Sequence, residues 1–160
     1  MSIALALLIT LAICAVSAIL EGVMAGGNVK QYFAGLQQPR YAVSLKAWYA
    51  IGGLYYIFCG VVLYRMLRHP EDRDIRTIAF ALIVVMMSAN AIWNYIFFRA
   101  RNLFISFLAF GPYIIVTLSL IVTLSRFDQI AAALIFIYLL YLVYAITWSY
   151  KLWNLNRTGN

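Results

Sequence analysis

Charge is what this chain has least of. Asp, Glu, Lys and Arg make up 11% of its 160 residues, against 66% hydrophobic residues and a mean hydropathy of +0.90. A soluble domain carries about a quarter charged and about half apolar residues, so that class is excluded. Acidic residues are scarcest: Glu21, Glu71, Asp72, Asp74 and Asp128 are the whole set. Only Glu21 falls inside a long apolar run, which leaves a carboxylate-driven pump or proton-coupled transporter little to work with. One histidine, His69, and two distant cysteines, Cys14 and Cys59, offer no metal spacing and no thiol pair. The motifs GxxxxGK[ST], HExxH and GxSxG are missing, so the usual enzymatic signatures fail.

What is present are apolar blocks long enough to cross a bilayer, which takes about 20 residues per helix. Five are read, at 3–25, 45–66, 76–98, 103–124 and 129–150, and together they predict an all-α membrane protein, a five-transmembrane-helix bundle forming one domain over 1–160. The first block lacks a basic flank and is too long for a secretory h-region, so it reads as a helix rather than a signal peptide. Five spans cannot divide into two inverted halves.

The net charge of +7 does not point to nucleic acid, because the basic residues are scattered at helix ends. Arg65, Arg68, Arg73, Arg76 and Arg126 fall on one side of the five-span topology. Lys30, Arg40, Lys46, Arg99, Arg101, Lys151 and Arg157 fall on the other. Seven against five puts the N-terminus outside and the C-terminus in the cytoplasm, with a bacterial inner membrane as the expected location.

Within the spans, a few features stand out. Ala18, Gly22 and Gly26 form a small-residue ridge that serves equally as a homodimer seam or as a packing surface for another helix of the bundle. Glu21, one turn from the end of its span, is either a functional carboxylate or a group that reaches the headgroups. The first connector, 26–44, is the only long one, and its Tyr32, Phe33 and Tyr41 suit interfacial anchoring or a lid over a pocket. Gly52-Gly53 in the second span would let something pack against the backbone. The turn at 68–75 reads as solvated. In the fifth span Asp128 is an N-cap, and Tyr138, Tyr141, Ala145 and Trp148 share one face whose buried hydroxyls need partners.

The third span ends Asn90-Ala-Ile-Trp93-Asn94-Tyr-Ile-Phe97-Phe98. Asn90, Trp93, Asn94 and Phe97 lie at i, i+3, i+4 and i+7, so amides and aromatic rings share one helix face. This motif, followed by Arg99-Ala-Arg101-Asn102, together with a first loop containing Leu36-x-x-Pro39, resembles the translocator protein family, whose bacterial members are called tryptophan-rich sensory proteins. The resemblance covers nearly the whole chain. Departures are specific: tyrosine stands at 32, 41 and 141 where the family has tryptophan, and the Pro-Pro pair after Tyr41 is missing.

The resemblance implies a five-helix bundle, often dimeric, that binds tetrapyrroles (haem and porphyrins), sterols and drug-like ligands in a cavity under loop one. It places Tyr32, Leu36, Pro39 and Arg40 on the lid, Trp48 and Tyr56 on span two, Asn90, Trp93 and Phe97 on span three, and Tyr138, Tyr141 and Ala145 on span five. Some relatives break down porphyrin in light through cavity tryptophans, and this chain has tyrosine at 32, 41 and 141 where the family has tryptophan. The expectation is therefore a non-catalytic receptor or carrier with no obligatory cofactor and no metal, a tetrapyrrole or sterol-like ligand, and membrane lipids and a second copy as partners. The rival expectation is a structural accessory subunit of a larger membrane complex.

Overall fold

The computed structural model describes residues 1–69 and 73–157. Pro70, Glu71 and Asp72 of the turn between the second and third spans lie outside the described residues. Five helices are long and apolar enough to cross a membrane, and the described residues contain no strand.

α1 (Ile3–Ala25) opens on Ser2, whose hydroxyl accepts the Leu5 N–H. It stops at Gly26, where φ is +78°, a left-handed value that glycine adopts without a Cβ penalty. α2 (Val29–Gly35) is a short helix inside the first connector. Seven residues cannot hold a helix in isolation, so packing of Tyr32 and Phe33 onto the bundle must sustain it. α3 (Leu45–Arg68) starts at the Ser44 cap. α4 (Arg73–Asn94) runs on through a π-helical turn over Tyr95–Arg99, a form concentrated at functional sites.

The fourth span is two helices, α5 (Leu103–Leu108) and α6 (Phe110–Leu124), where the sequence reads as one. Pro112 is the cause. It has no N–H for the Leu108 carbonyl and its ring crowds that group, so the helix breaks at Ala109. α7 (Gln129–Asn156) is 28 residues long. At 1.5 Å per residue it spans about 42 Å, well beyond a hydrocarbon layer of about 30 Å. Its last turns therefore protrude, and loop one packs against them.

Around the bundle, α1 lies between α3 and α4, α6 lies between α4 and α7, and α7 closes back on α3. The main core gathers Cys59, Leu63, Met66, Ile83, Met86, Leu120 and Leu124 toward the Asp128 end. There the Arg65 guanidinium donates to both Asp128 carboxylate oxygens, at 2.8 and 2.9 Å. A second cluster of Phe97, Trp148 and Leu152 lies at the opposite end, covered by Tyr32, Phe33 and Leu36. Serine and threonine hydroxyls inside the spans bond the carbonyl one turn back, as at Ser88–Val84, Thr117–Tyr113 and Thr147–Val143, which satisfies them where water is scarce.

Candidate functional site

Between the two clusters is a cavity of about 610 Å³. Its aromatic walls come from four spans, with Phe110 and Tyr113 of α6 beside residues of α3, α4 and α7. α7 contributes Tyr138, Tyr141, Ala145 and Trp148, the face foreseen from their spacing. α3 contributes Trp48, Tyr55 and Tyr56, and α4 contributes Asn90, Trp93 and Asn94. The rings interlock: Trp48 lies 4.6 Å from Trp148 and 6.2 Å from Tyr141, and Tyr138 lies 5.0 Å from Tyr55. The buried Tyr113 and Tyr138 hydroxyls meet at 2.8 Å, supplying the partner that a phenol needs in an apolar interior.

Trp93 is fixed from two sides. Its ring stacks on Phe97 with centroids 4.9 Å apart, and its indole N–H donates to the Ser106 carbonyl at 2.9 Å. Ser106 stands just before the Pro112-induced break, so the kink in one span orients the tryptophan of another.

Glu21 is the polar centre of the site. Its Oε2 accepts the Tyr56 hydroxyl at 2.7 Å and the Asn90 side-chain N–H at 2.8 Å. One oxygen thus ties α1, α3 and α4 together. Asn94 in turn donates to the Asn90 carbonyl at 3.1 Å. The sequence marks Glu21 as an intramembrane carboxylate, but only the fold supplies its partners. On a neighbouring wall, the Trp48 indole nitrogen is buried without a hydrogen-bond partner among the described residues.

Glycines form the rim. Ala18, Gly22, Gly26 and Gly27 line the cavity from the α1 end, and Gly52 and Gly53 line it from α3. A Cβ added at any of these five glycines would meet no atom within 4 Å. No atom of the described residues packs against Gly52-Gly53, and the Ala18–Gly22–Gly26 ridge lines the cavity. Ala18, Gly22, Gly27, Lys30, Tyr49 and Gly53 are exposed as well as cavity-lining, so the opening lies between α1, the start of α2 and α3.

The remaining residues named from sequence lie elsewhere. Phe97 is fully buried in the second cluster behind Trp93. Tyr32 packs edge-on against Phe97 and Phe98, with the Arg101 guanidinium 5.3 Å from its ring. Leu36 packs on the second cluster, Pro39 is buried, and Arg40 is exposed. None of these five is in the cavity lining, which takes Phe33 and Lys30 from loop one. The loop is held to α7 by paired bonds between Gln37 and Asn156, each 3.0 Å, and by Trp148 donating to the Gln38 side chain at 3.2 Å. Tyr41 and Tyr144 add a 3.1 Å bond to the Thr147 carbonyl and a 3.3 Å bond to the Tyr41 carbonyl.

Fold and site together define a five-span helical membrane protein with an aromatic-walled cavity of ligand size opening beside its first helix. The sequence profile of the TspO/MBR family matches residues 9–154. The chain belongs to that family, the one that its third-span motif resembles. No curated protein matches it.

Proposed function

We propose that this protein is a non-catalytic membrane receptor or carrier for a flat, largely apolar small molecule, a tetrapyrrole or a sterol-like compound. The observation that carries the reading is the cavity: about 610 Å³, inside the range of roughly 300–1,000 Å³ typical of ligand sites. Like such sites, it is mostly apolar and aromatic with a few converging polar groups. In this reading a flat ligand lies against Trp93 and Tyr141, and the unpartnered Trp48 N–H takes an acceptor on its edge. Tetrapyrrole carboxylates meet Lys30 at the rim. The protein works as a homodimer in a bacterial inner membrane, N-terminus outside, as the Lys and Arg distribution supports.

The test is a titration of purified protein with haem, protoporphyrin and a fluorescent sterol. Saturable binding of one of them, seen as a Soret shift or tryptophan quenching at stoichiometric ligand, supports the reading. Linear, unsaturable partitioning of all three overturns it.

A further inference from the structure

The polar centre of the cavity is a carboxyl group that no cation of the described residues meets. Glu21 Oε2 accepts two hydrogen bonds, from the Tyr56 hydroxyl and the Asn90 amide, and both donors are neutral. Among the described residues no Lys, Arg or His nitrogen lies within ion-pair distance of this carboxylate; the ion pair present is Arg65–Asp128, at the other end of the bundle. Lys30, the one cation lining the cavity, sits exposed on the first turn of α2.

The surroundings favour a cation as well. Glu21 stands one turn before the C-terminus of α1, where the unpaired carbonyls carry partial negative charge and favour a cation. Trp48, Trp93 and Tyr141 line the same space, and an aromatic face attracts a cation through its quadrupole. A carboxylate inside a membrane protein is costly unless an opposite charge meets it.

We infer that the cavity takes an apolar ligand bearing a cationic nitrogen, an amine, ammonium or guanidinium, which docks against Glu21 with its apolar body between the aromatic walls. This goes beyond the proposal above, adding a basic ligand class to the two named there, and rests on the cavity being a ligand site. Tyr56 and Asn90 act as positioning residues, holding Oε2 and leaving the rest of the carboxylate for the ligand.

Two probes of equal shape separate charge from bulk: 1-pyrenylbutyl-trimethylammonium and its carbon isostere, with a tert-butyl group in place of the ammonium. Energy transfer from tryptophan to pyrene is read in zwitterionic lipid nanodiscs, with empty discs as the blank. The wild type binds the ammonium about tenfold tighter than the isostere, the advantage that a desolvated carboxylate and aromatic faces supply. Glu21→Gln removes the preference, with its thermal midpoint, read by a thiol-reactive dye, verifying that the variant is folded; Glu21→Asp keeps a preference. Equal affinities in the wild type, or a preference unchanged by Glu21→Gln, overturn this inference but leave the cavity reading standing. If neither probe saturates in the wild type, both readings fall.

Discussion

The Tyr56 hydroxyl lies 2.7 Å from Glu21 Oε2, and that contact spans two membrane helices, α3 and α1. Asn90 of α4 reaches the same oxygen, so the three helices share one acceptor. Side-chain hydrogen bonds between membrane helices average about 0.6 kcal/mol, but leaving a buried polar partner unsatisfied costs about 1–3 kcal/mol. Tyr56→Phe therefore costs about 1–2 kcal/mol of stability. Cys59 is fully buried and Cys14 partly so, which lets a thiol-reactive dye report unfolding without an added label. The thermal midpoint falls in Tyr56→Phe and in Asn90→Ala, and the double variant loses less than the sum, because both lose the same oxygen.

Asp128 gives a pH-dependent prediction. Its side chain caps α7 by accepting the Ile130 and Ala131 N–H groups and also pairs with Arg65. Burial pushes its carboxyl up, but the Arg65 and Ala131 bonds outweigh burial and hold it below the ordinary carboxylate value. A depressed carboxyl contributes stability that is fully present above its unfolded value, about 3.9, and is lost as pH falls through the folded one. The thermal midpoint of the wild type thus drops in that acid window, and Asp128→Asn, which retains the cap, shows a shallower drop. At neutral pH Asp128→Ala costs about 1–2 kcal/mol for the cap. The pair adds at most about 1 kcal/mol, because the Arg65 side chain is 35% exposed and can return to solvent.

The glycine rim separates stability from binding. Gly53 is inside a helix and its missing Cβ would meet open space, so Gly53→Ala raises stability by about 0.5–1 kcal/mol. Gly26→Ala does the reverse, because Gly26 has a φ of +78°; a left-handed alanine costs about 1–2 kcal/mol. Thermal midpoints of the two variants, moving in opposite directions, check the pair.

Loop one is docked by the reciprocal Gln37–Asn156 bonds. Asn156→Ala frees the Gln37 N–H, and amide exchange across 36–43 quickens while exchange in the five spans stays as in wild type. Unchanged protection of the loop would show that the Trp148–Gln38 and Tyr41–Thr147 bonds hold it without Asn156.

The spans were legible because a bilayer imposes one demand, a long apolar run, and the chain meets it five times. The aromatic face of α7 was legible for a similar reason, since helical spacing alone puts Tyr138, Tyr141, Ala145 and Trp148 on one side. The break at Ala109 is traceable to Pro112, a local signal that hydropathy averages away. α2 was not legible: seven residues with no repeating pattern form a helix only because Phe33 lies over Trp148 and Tyr32 over Phe97. Glu21 showed in the sequence as an exception to apolarity, but its partners are 35 and 69 residues away, and no periodicity links them. The Ala18–Gly22–Gly26 ridge was legible as a close-approach surface, but helical spacing alone does not show that it lines a cavity.

The central claim is that the cavity holds a ligand, and binding to two opposed variants tests it most directly. Tyr141→Ala removes an aromatic wall, and Gly52→Leu fills the cavity from the rim. The tetrapyrrole or sterol found to bind the wild type is titrated against both, with thermal midpoints confirming that each is folded. The account predicts saturable wild-type binding that weakens by about five- to tenfold in Tyr141→Ala, the worth of one lost aromatic contact, and at least as much in Gly52→Leu. Wild-type affinity retained in both variants would place the ligand elsewhere and contradict it.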